Sequence, residues 1–303
     1  MNQITHRHAE CWKVVPLRGS IAEVFVTSHN RAIEFDDGGG FQTYTPQSGF
    51  DSSAAQLQSG LREQNRDIIG VISDDRFTHD QLRAGAWDGC SVTVSLIDWM
   101  YPIAGAITTR KYTAGRINVN GTEWSAELSG LASRLHAKTG REHARPCDAD
   151  IFDARCKLVS TTVATWTVEA VRVLAASQDA TEPRRIFQAV GSDLPTTSDD
   201  FYKYGKLTWT TGPNAEIGLV SIVKSFDDAF SGGNHLVELY ERTPYDIGDN
   251  EEFTIQVGCD KLFTTCRDKF DPGATGEGNT LNFRGLHLMP GSDHVLRTPS
   301  TSN

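Results

Sequence analysis

The chain has 303 residues, 38% hydrophobic and 22% charged, with a formal net charge of −10. That is long enough for more than one hydrophobic core, so two domains are expected. The acidic balance argues against a broad basic surface for nucleic acid, and no run of about eighteen apolar residues is present to span a membrane.

The opening MNQITHRHAECWKVV has no apolar core of a secretory signal. The expectation is a reducing cytosol, where thiols stay free and disulfides are disfavoured. Short β-rich runs follow at Cys11 to Leu17, Ile21 to Thr27 and Ala32 to Phe35, separated by Gly, Ser, His and Asn. Gly38, Gly39 and Gly40 read as a hairpin turn before Phe41 to Tyr44, since no Lys-Ser/Thr follows to make a phosphate cradle. Thr78 to Gln81 caps a short helix through Ala84 that ends at Gly85. Asp67 to Ile72 and Ser91 to Asp98 are strands, the second alternating Val92, Val94 and Leu96. Ile117 to Val119 closes on the hairpin dipeptide Asn120-Gly121. Leu128, Leu131 and Leu135 have helical spacing, which predicts a helix from Leu128 to Lys138.

The second half predicts more strands. Val159 to Leu174 is a long β-branched stretch. Phe187 to Val190, Lys206 to Thr211, Glu216 to Val223, Leu236 to Arg242 and Glu252 to Val257 continue it, with turns at Thr211 to Asn214 and Ser231 to Asn234. A short helix is expected within Asp260 to Phe270. The Ser-, Thr- and Pro-rich residues 292–303 read as a flexible tail.

Two cysteine pairs are the most informative feature. Cys147 and Cys156 enclose eight residues in CDADIFDARC, and Cys259 and Cys266 enclose six in CDKLFTTC. Four thiolates in two clipped pairs suit a tetrahedral metal or an iron–sulfur cluster. Zinc ribbons space each pair by about two to four residues, so these wider loops favour a bulkier group. Disulfides and free buried thiols remain the alternatives, the former disfavoured in a reducing compartment. Glu252 to Val257 delivers the chain directly to Gly258-Cys259, so a site here would tie together both ends of the module 158–257.

Other chemistry is weakly signalled. His79-Asp80 and His235 are isolated as bases, and Cys11 and Cys90 lie in apolar stretches that predict buried structural thiols. No Gly-x-Ser-x-Gly elbow is present. The neighbouring carboxylates Asp36-Asp37, Asp74-Asp75 and Asp199-Asp200 read as solvated loop residues, and no enzymatic activity is expected.

Over most of residues 10–291 the chain resembles the tail-tip hub family of siphophages and gene transfer agents. GCDKLFTTCRDKF and NTLNFRGLHLMPG carry the strongest likeness, with CWKVVPLRG, TYTPQSGFDSS, LRAGAWDGCSVTVSLIDW, AELSGLASRL and RPCDADIFDARC as successive earlier blocks. The likeness is weakest across 160–257 and at the insertion Asp271 to Gly278. At its cysteines the chain is similar to the tail-tip L protein of lambda-like phages, which has the same gaps and holds an iron–sulfur cluster.

The resemblance implies a mainly β protein with two barrel-like hub domains, residues 1–145 and 158–257. They would be tied by an iron–sulfur element of residues 146–157 plus 258–291. It implies Cys147, Cys156, Cys259 and Cys266 as ligands of a [4Fe-4S] cluster, with zinc and a redox protein as the alternatives. It also implies a homotrimer in the virion tail tip, assembled in the bacterial host cytoplasm. The partners would be a distal tail protein and a central fibre or tail-tip protein, with the tape measure protein a further candidate. DNA would meet the chain only in passage through a channel.

Overall fold

The computed structural model describes residues 7–46, 51–52, 65–71, 76–135, 140, 144–174, 182–195, 197–271 and 276–289. The chain splits into two compact units, Met1–Lys138 with Glu216–Gly218, and Thr139–Ala215 with Leu219–Asn303. Ile72, Asp74, Asp75, residues 136–138 and the tail 292–303 lie outside the described residues.

The first unit is built on β1 (His8–Val15), β2 (Val24–Thr27), β3 (Ile33–Asp36), β4 (Phe41–Pro46), β5 (Asp51–Ser52) and β6 (Asn65–Val71). After α1 (His79–Arg83) come β7 (Ser91–Asp98), β8 (Ala106–Ala114), β9 (Asn118–Asn120), β10 (Glu123–Gly130) and α2 (Leu131–Leu135). The strands form one sheet in the order β3-β4-β2-β1-β7-β8-β10-β6-β5, with β9 paired to β10. Every pair is antiparallel except β2 with β4. Both faces of β1 and β7 are buried: Trp12, Val14, Val92 and Val94 lie on one, Ala9, Cys11 and Ile97 on the other. The glycine run is the expected hairpin turn between β3 and β4. Asp36 Oδ1 accepts the N–H groups of Gly38 (2.9 Å) and Gly40 (3.0 Å), and both glycines have positive φ.

The helix expected from Leu128 is corrected. β10 runs to Gly130, because Trp124, Ala126, Leu128 and Gly130 alternate with exposed or half-buried residues and Leu128 is fully buried. Among the described residues of that stretch Leu131–Leu135 is helical, and Leu131 and Leu135 are exposed. Strand β8 escaped the sequence pattern because its first four residues, Ala106 to Thr109, are all exposed and show no apolar alternation.

The second unit contains β11 (Thr167–Arg172), β12 (Ile186–Ala189), β13 (Lys206–Trp209), α3 (Pro213–Glu216), β14 (Val220–Ser231), β15 (Asn234–Leu239), β16 (Glu252–Gln256) and α4 (Phe263–Asp268). Its sheet has the order β11-β16-β13-β14-β15-β12. Phe187, Phe253 and Trp209 form the centre of its core, with ring centroids 5.5 to 5.8 Å apart. Val159 to Leu174 is not one long strand. Thr162 and Trp166 donate back to Val159 and Val163 in turns, and Trp166 is buried against Phe270, so pairing begins only at Thr167. The expected strand from Glu216 likewise begins at Val220, after α3.

Neither unit is the barrel that was expected. In the first, the end strands β3 and β5 are four and two residues long, too short to supply a closing ladder. In the second, β11 and β12 meet at the bridge Val173↔Ala189, with Leu174 N–H to Gln188 O (2.8 Å) and Val190 N–H to Arg172 O (3.0 Å). A register shift between Val168 and Val171, with Ala170 at φ 55°, kinks β11 there. The sheet therefore rolls up to touch its own edge without closing.

One ion-pair cluster on this sheet gives a pH signature. Glu238 of β15 accepts from Lys224 Nζ (2.8 Å) and Ser225 Oγ (2.9 Å), and Arg185 also bonds it. These partners, Lys224 foremost, pull its carboxyl down to about 2. A lowered folded-state pKa stabilises above the unfolded value and loses that contribution as pH falls through the folded one. The urea midpoint of the second unit should therefore exceed that of Glu238→Gln at pH 6, with the gap narrowing by pH 3. A gap independent of pH would show that the charge of Glu238 adds no stability.

Candidate metal centre

The first cysteine loop is organised by Asp153. Its carboxylate accepts the N–H groups of Asp150 (3.1 Å), Arg155 (2.9 Å) and Cys156, and the Arg155 guanidinium joins it to Asp148. The Cys156 N–H foremost holds the Asp153 carboxyl below its ordinary value. The second loop is organised by Asp260, which accepts from Leu262 N–H (2.9 Å) and Thr265 Oγ (2.7 Å) and so starts α4, which carries Cys266. Phe152, Lys157 and Lys261, all beside these loops, have positive φ without being glycine. Such backbone strain persists only where the surroundings fix it, and it collects at functional sites.

Contacts far apart in sequence then bring the loops together. Lys261 accepts the Cys147 N–H at its carbonyl (2.8 Å), donates its own N–H to Cys259 Sγ (3.4 Å), and extends its ammonium to Ala149 O and Asp150. Asn279 donates from Nδ2 to Cys156 O (2.8 Å) and Sγ (3.6 Å), while Cys266 Sγ faces Asn279 O at 3.4 Å. Arg284 N–H points at Cys147 Sγ (3.4 Å). Stacked Phe263 and His287 rings, with centroids 3.8 Å apart, pin the returning segment to α4.

Cys147, Cys156, Cys259 and Cys266 line one small cavity of about 20 Å³, walled by Ile151, Leu158, Leu262, Phe270 and Phe283 among others. Burial raises the Cys259 thiol, and burial together with the neighbouring Cys259, Cys156 and Cys147 sulfurs pushes Cys266 up to about 12. Four thiolates in this apolar chamber therefore repel one another unless a cationic group sits among them. No three His, Cys, Asp or Glu side chains among the described residues are grouped so as to hold a metal ion in the arrangement seen. All six cysteines are free.

The other sequence candidates lie elsewhere. Cys11 and Cys90 are buried, and burial raises their thiols to about 11 and about 12. His235 is buried with its ring stacked on Phe226, and His79 opens α1 on the surface of the first unit. Asp199 and Asp200 accept the N–H groups of Asp228 (3.1 Å) and Phe226 (3.3 Å), so they are loop ties. Sequence reasoning missed Lys261 and Asn279. Both stand inside the motif blocks, but nothing in their spacing shows that they bridge the cysteine loops.

A family model described as "Baseplate hub protein, N-terminal attachment domain" matches residues 1–159, and one described as "Phage conserved hypothetical protein BR0599" matches residues 200–293. A solved structure described as "Virion of native gene transfer agent (GTA) particle" contains a chain 26% identical to this one. The alignment covers 100% of this chain and 94% of that one, with a TM-score of 0.75. No curated protein matches. With the first model covering more than half of the sequence and the virion chain aligned along all of it, the chain belongs to the baseplate hub family and is a structural protein of the virion tail tip of a phage or gene transfer agent.

Proposed function

We propose that the chain is the hub that joins the tail tube and its distal tail ring to a central fibre or tail-tip protein. In this reading three copies form a ring, each contributing both of its β units to the wall. The tape measure protein is a further neighbour, and DNA passes through the ring without being held. The net charge of −10 supports passage, since an acidic lining does not retain phosphates.

The same reading assigns Cys147, Cys156, Cys259 and Cys266 as the holders of a [4Fe-4S] cluster. The observation that carries it is the convergence of all four thiols on one apolar cavity. Three of the sulfurs face N–H donors, a pattern that favours thiolate ligands. Gaps of eight and six residues within the pairs, wider than zinc ribbons use, favour a polynuclear group over zinc. When bound, such a cluster supplies the positive charge that lets four neighbouring thiolates coexist. The chain's own residues shape the chamber, exclude water from it and hold the sulfurs. The cluster is then a structural tie between segments roughly a hundred residues apart, and its closure constrains the unfolded chain.

Two measurements test the proposal. Anaerobically purified protein should be brown and carry about four iron and four labile sulfide per chain. Colourless protein with one zinc per chain would overturn the cluster. Purified particles viewed end-on should show threefold symmetry with three copies of the chain at the tip, and six copies would overturn the hub ring.

A further inference from the structure

We infer that Asn279 is the positioning residue of the four-cysteine site, its side chain bonding Cys156 of one pair and its peptide N–H bonding the main chain of Cys266 of the other. The inference rests on the cluster reading above. Asn279 is buried, 8% exposed, immediately before the 3₁₀ turn Thr280–Asn282. An asparagine in that place ordinarily turns its side-chain oxygen back to cap its own turn. Asn279 makes no such cap. Its Oδ1 accepts from Asn282 Nδ2 (2.7 Å), and its Nδ2 crosses to Cys156, 123 positions earlier in the chain. The amide can face only one way, because the Cys156 carbonyl accepts and cannot donate. The same nitrogen reaches Cys156 Sγ at 3.6 Å.

Its main chain serves the other pair. Asn279 N–H donates to Cys266 O (3.1 Å), and Asn279 O lies 3.4 Å from Cys266 Sγ. The sulfurs are therefore not equivalent. Cys147, Cys156 and Cys259 each face an N–H donor, whereas Cys266 faces a carbonyl oxygen. Hydrogen bonds to ligand sulfur withdraw charge from it and raise the potential of the attached cluster, and orienting groups of this kind change metal affinity by about 10- to 100-fold. Asn279 therefore sets both how firmly Cys156 holds the group and the potential at which it is reduced.

The test uses the full-length chain and the variants Asn279→Ala and Asn282→Ala, purified anaerobically. Iron per chain, the rate of iron loss to a chelator and the midpoint potential are measured. Asn279→Ala should lose iron at least about tenfold faster than wild type and show a lower midpoint potential. Asn282→Ala frees the amide without removing it, so it should move both readouts in the same direction by less. If Asn279→Ala does not fold, Asn282→Ala still decides, since a purely structural asparagine would leave the potential unmoved. A wild type loaded with iron, beside variants of unchanged potential and iron-loss rate, would overturn this inference alone. A wild type that takes up no iron would overturn the cluster reading and this inference with it.

Discussion

Cys259→Ser should leave the protein colourless and largely insoluble, while Cys11→Ala keeps the colour and the iron of wild type. Serine is close in size to cysteine, but its hydroxyl ionises far above the range of a thiol and is a poor ligand for soft metal sites. The loss is large because the site closes a loop. Cys156 and Cys259 stand roughly a hundred residues apart, and in the chain-entropy model a covalent cross-link over such a loop contributes about 4 to 5 kcal/mol. That is a large fraction of the ~5–15 kcal/mol by which a domain is stable. On the proposed cluster, its loss would also return Cys147, Cys156 and Cys266 to thiols around a cavity that all four cysteines line. Cys11 has no such role. It is 1% exposed, pairs with Thr27 at 3.6 Å and packs among Ile33, Phe35 and Ile97, so truncation costs only its local contacts. Iron analysis and the soluble fraction read both variants. Soluble Cys259→Ser with wild-type iron would remove Cys259 from the ligand set, and iron loss in Cys11→Ala would show that the first unit governs the site.

What the sequence revealed follows the physics of each element. β16 was legible because apolar residues alternate along a strand with one face buried, and β1 and β7 from partial alternation although both of their faces carry buried residues. The β3–β4 and β14–β15 hairpins were legible from their glycines. α1 was legible from Thr78, whose Oγ1 does accept the Gln81 N–H (3.3 Å). The failures came where a neighbour outvoted the local pattern. Leu128 fits a helical stripe, but it also continues the alternation from Trp124, and burial chose the strand. Val159 to Leu174 is rich in β-branched residues, but the buried Trp166 anchors its first half in turns. At the site, the sequence spacing picked out the four cysteines that line the cavity. It could not reveal Lys261 or Asn279, because contacts between residues more than a hundred positions apart, Lys261 with Cys147 and Asp150 and Asn279 with Cys156, leave no periodic trace. The glycines of the same motif blocks carry a meaning that only the packing discloses.

Gly258→Ala should cost about 3 kcal/mol or more and disturb Cys259 with it. Gly258 does not need a left-handed backbone, so the argument is purely one of space. A Cβ built there would lie 1.9 Å from Lys203 O, 2.2 Å from Gly205 N and 2.3 Å from Tyr204 C. All three are main-chain atoms, so no side chain can swing aside. The opposing segment is itself held firmly. Tyr202 is fully buried with its hydroxyl on Thr165 O (2.9 Å), and Tyr204 N–H donates to Val223 O (2.8 Å). On the near side the half-buried Lys269 ammonium donates to Gly258 O (3.0 Å) and to Phe201 O, and burial lowers its pKa to about 8. The peptide before Cys259 is thus clamped from both sides, and a methyl group there must push the cysteine segment off the sheet. Gly278 and Gly285 repeat the arrangement, the first against the main chain of Cys266 and Arg267, the second against Arg145 and Pro146. Three glycines thereby let backbone meet backbone around the cysteine loops. Gly233→Ala is the control within the same unit, since it has φ +80° but nothing within 4 Å of its Cβ position. It should cost only about 1 kcal/mol, the ordinary penalty of a left-handed residue. Calorimetry of the second unit, with iron content measured on the same samples, separates the two effects. If Gly258→Ala proves no more destabilising than Gly233→Ala and retains its iron, the 203–205 backbone yields and the clamp is not what positions Cys259.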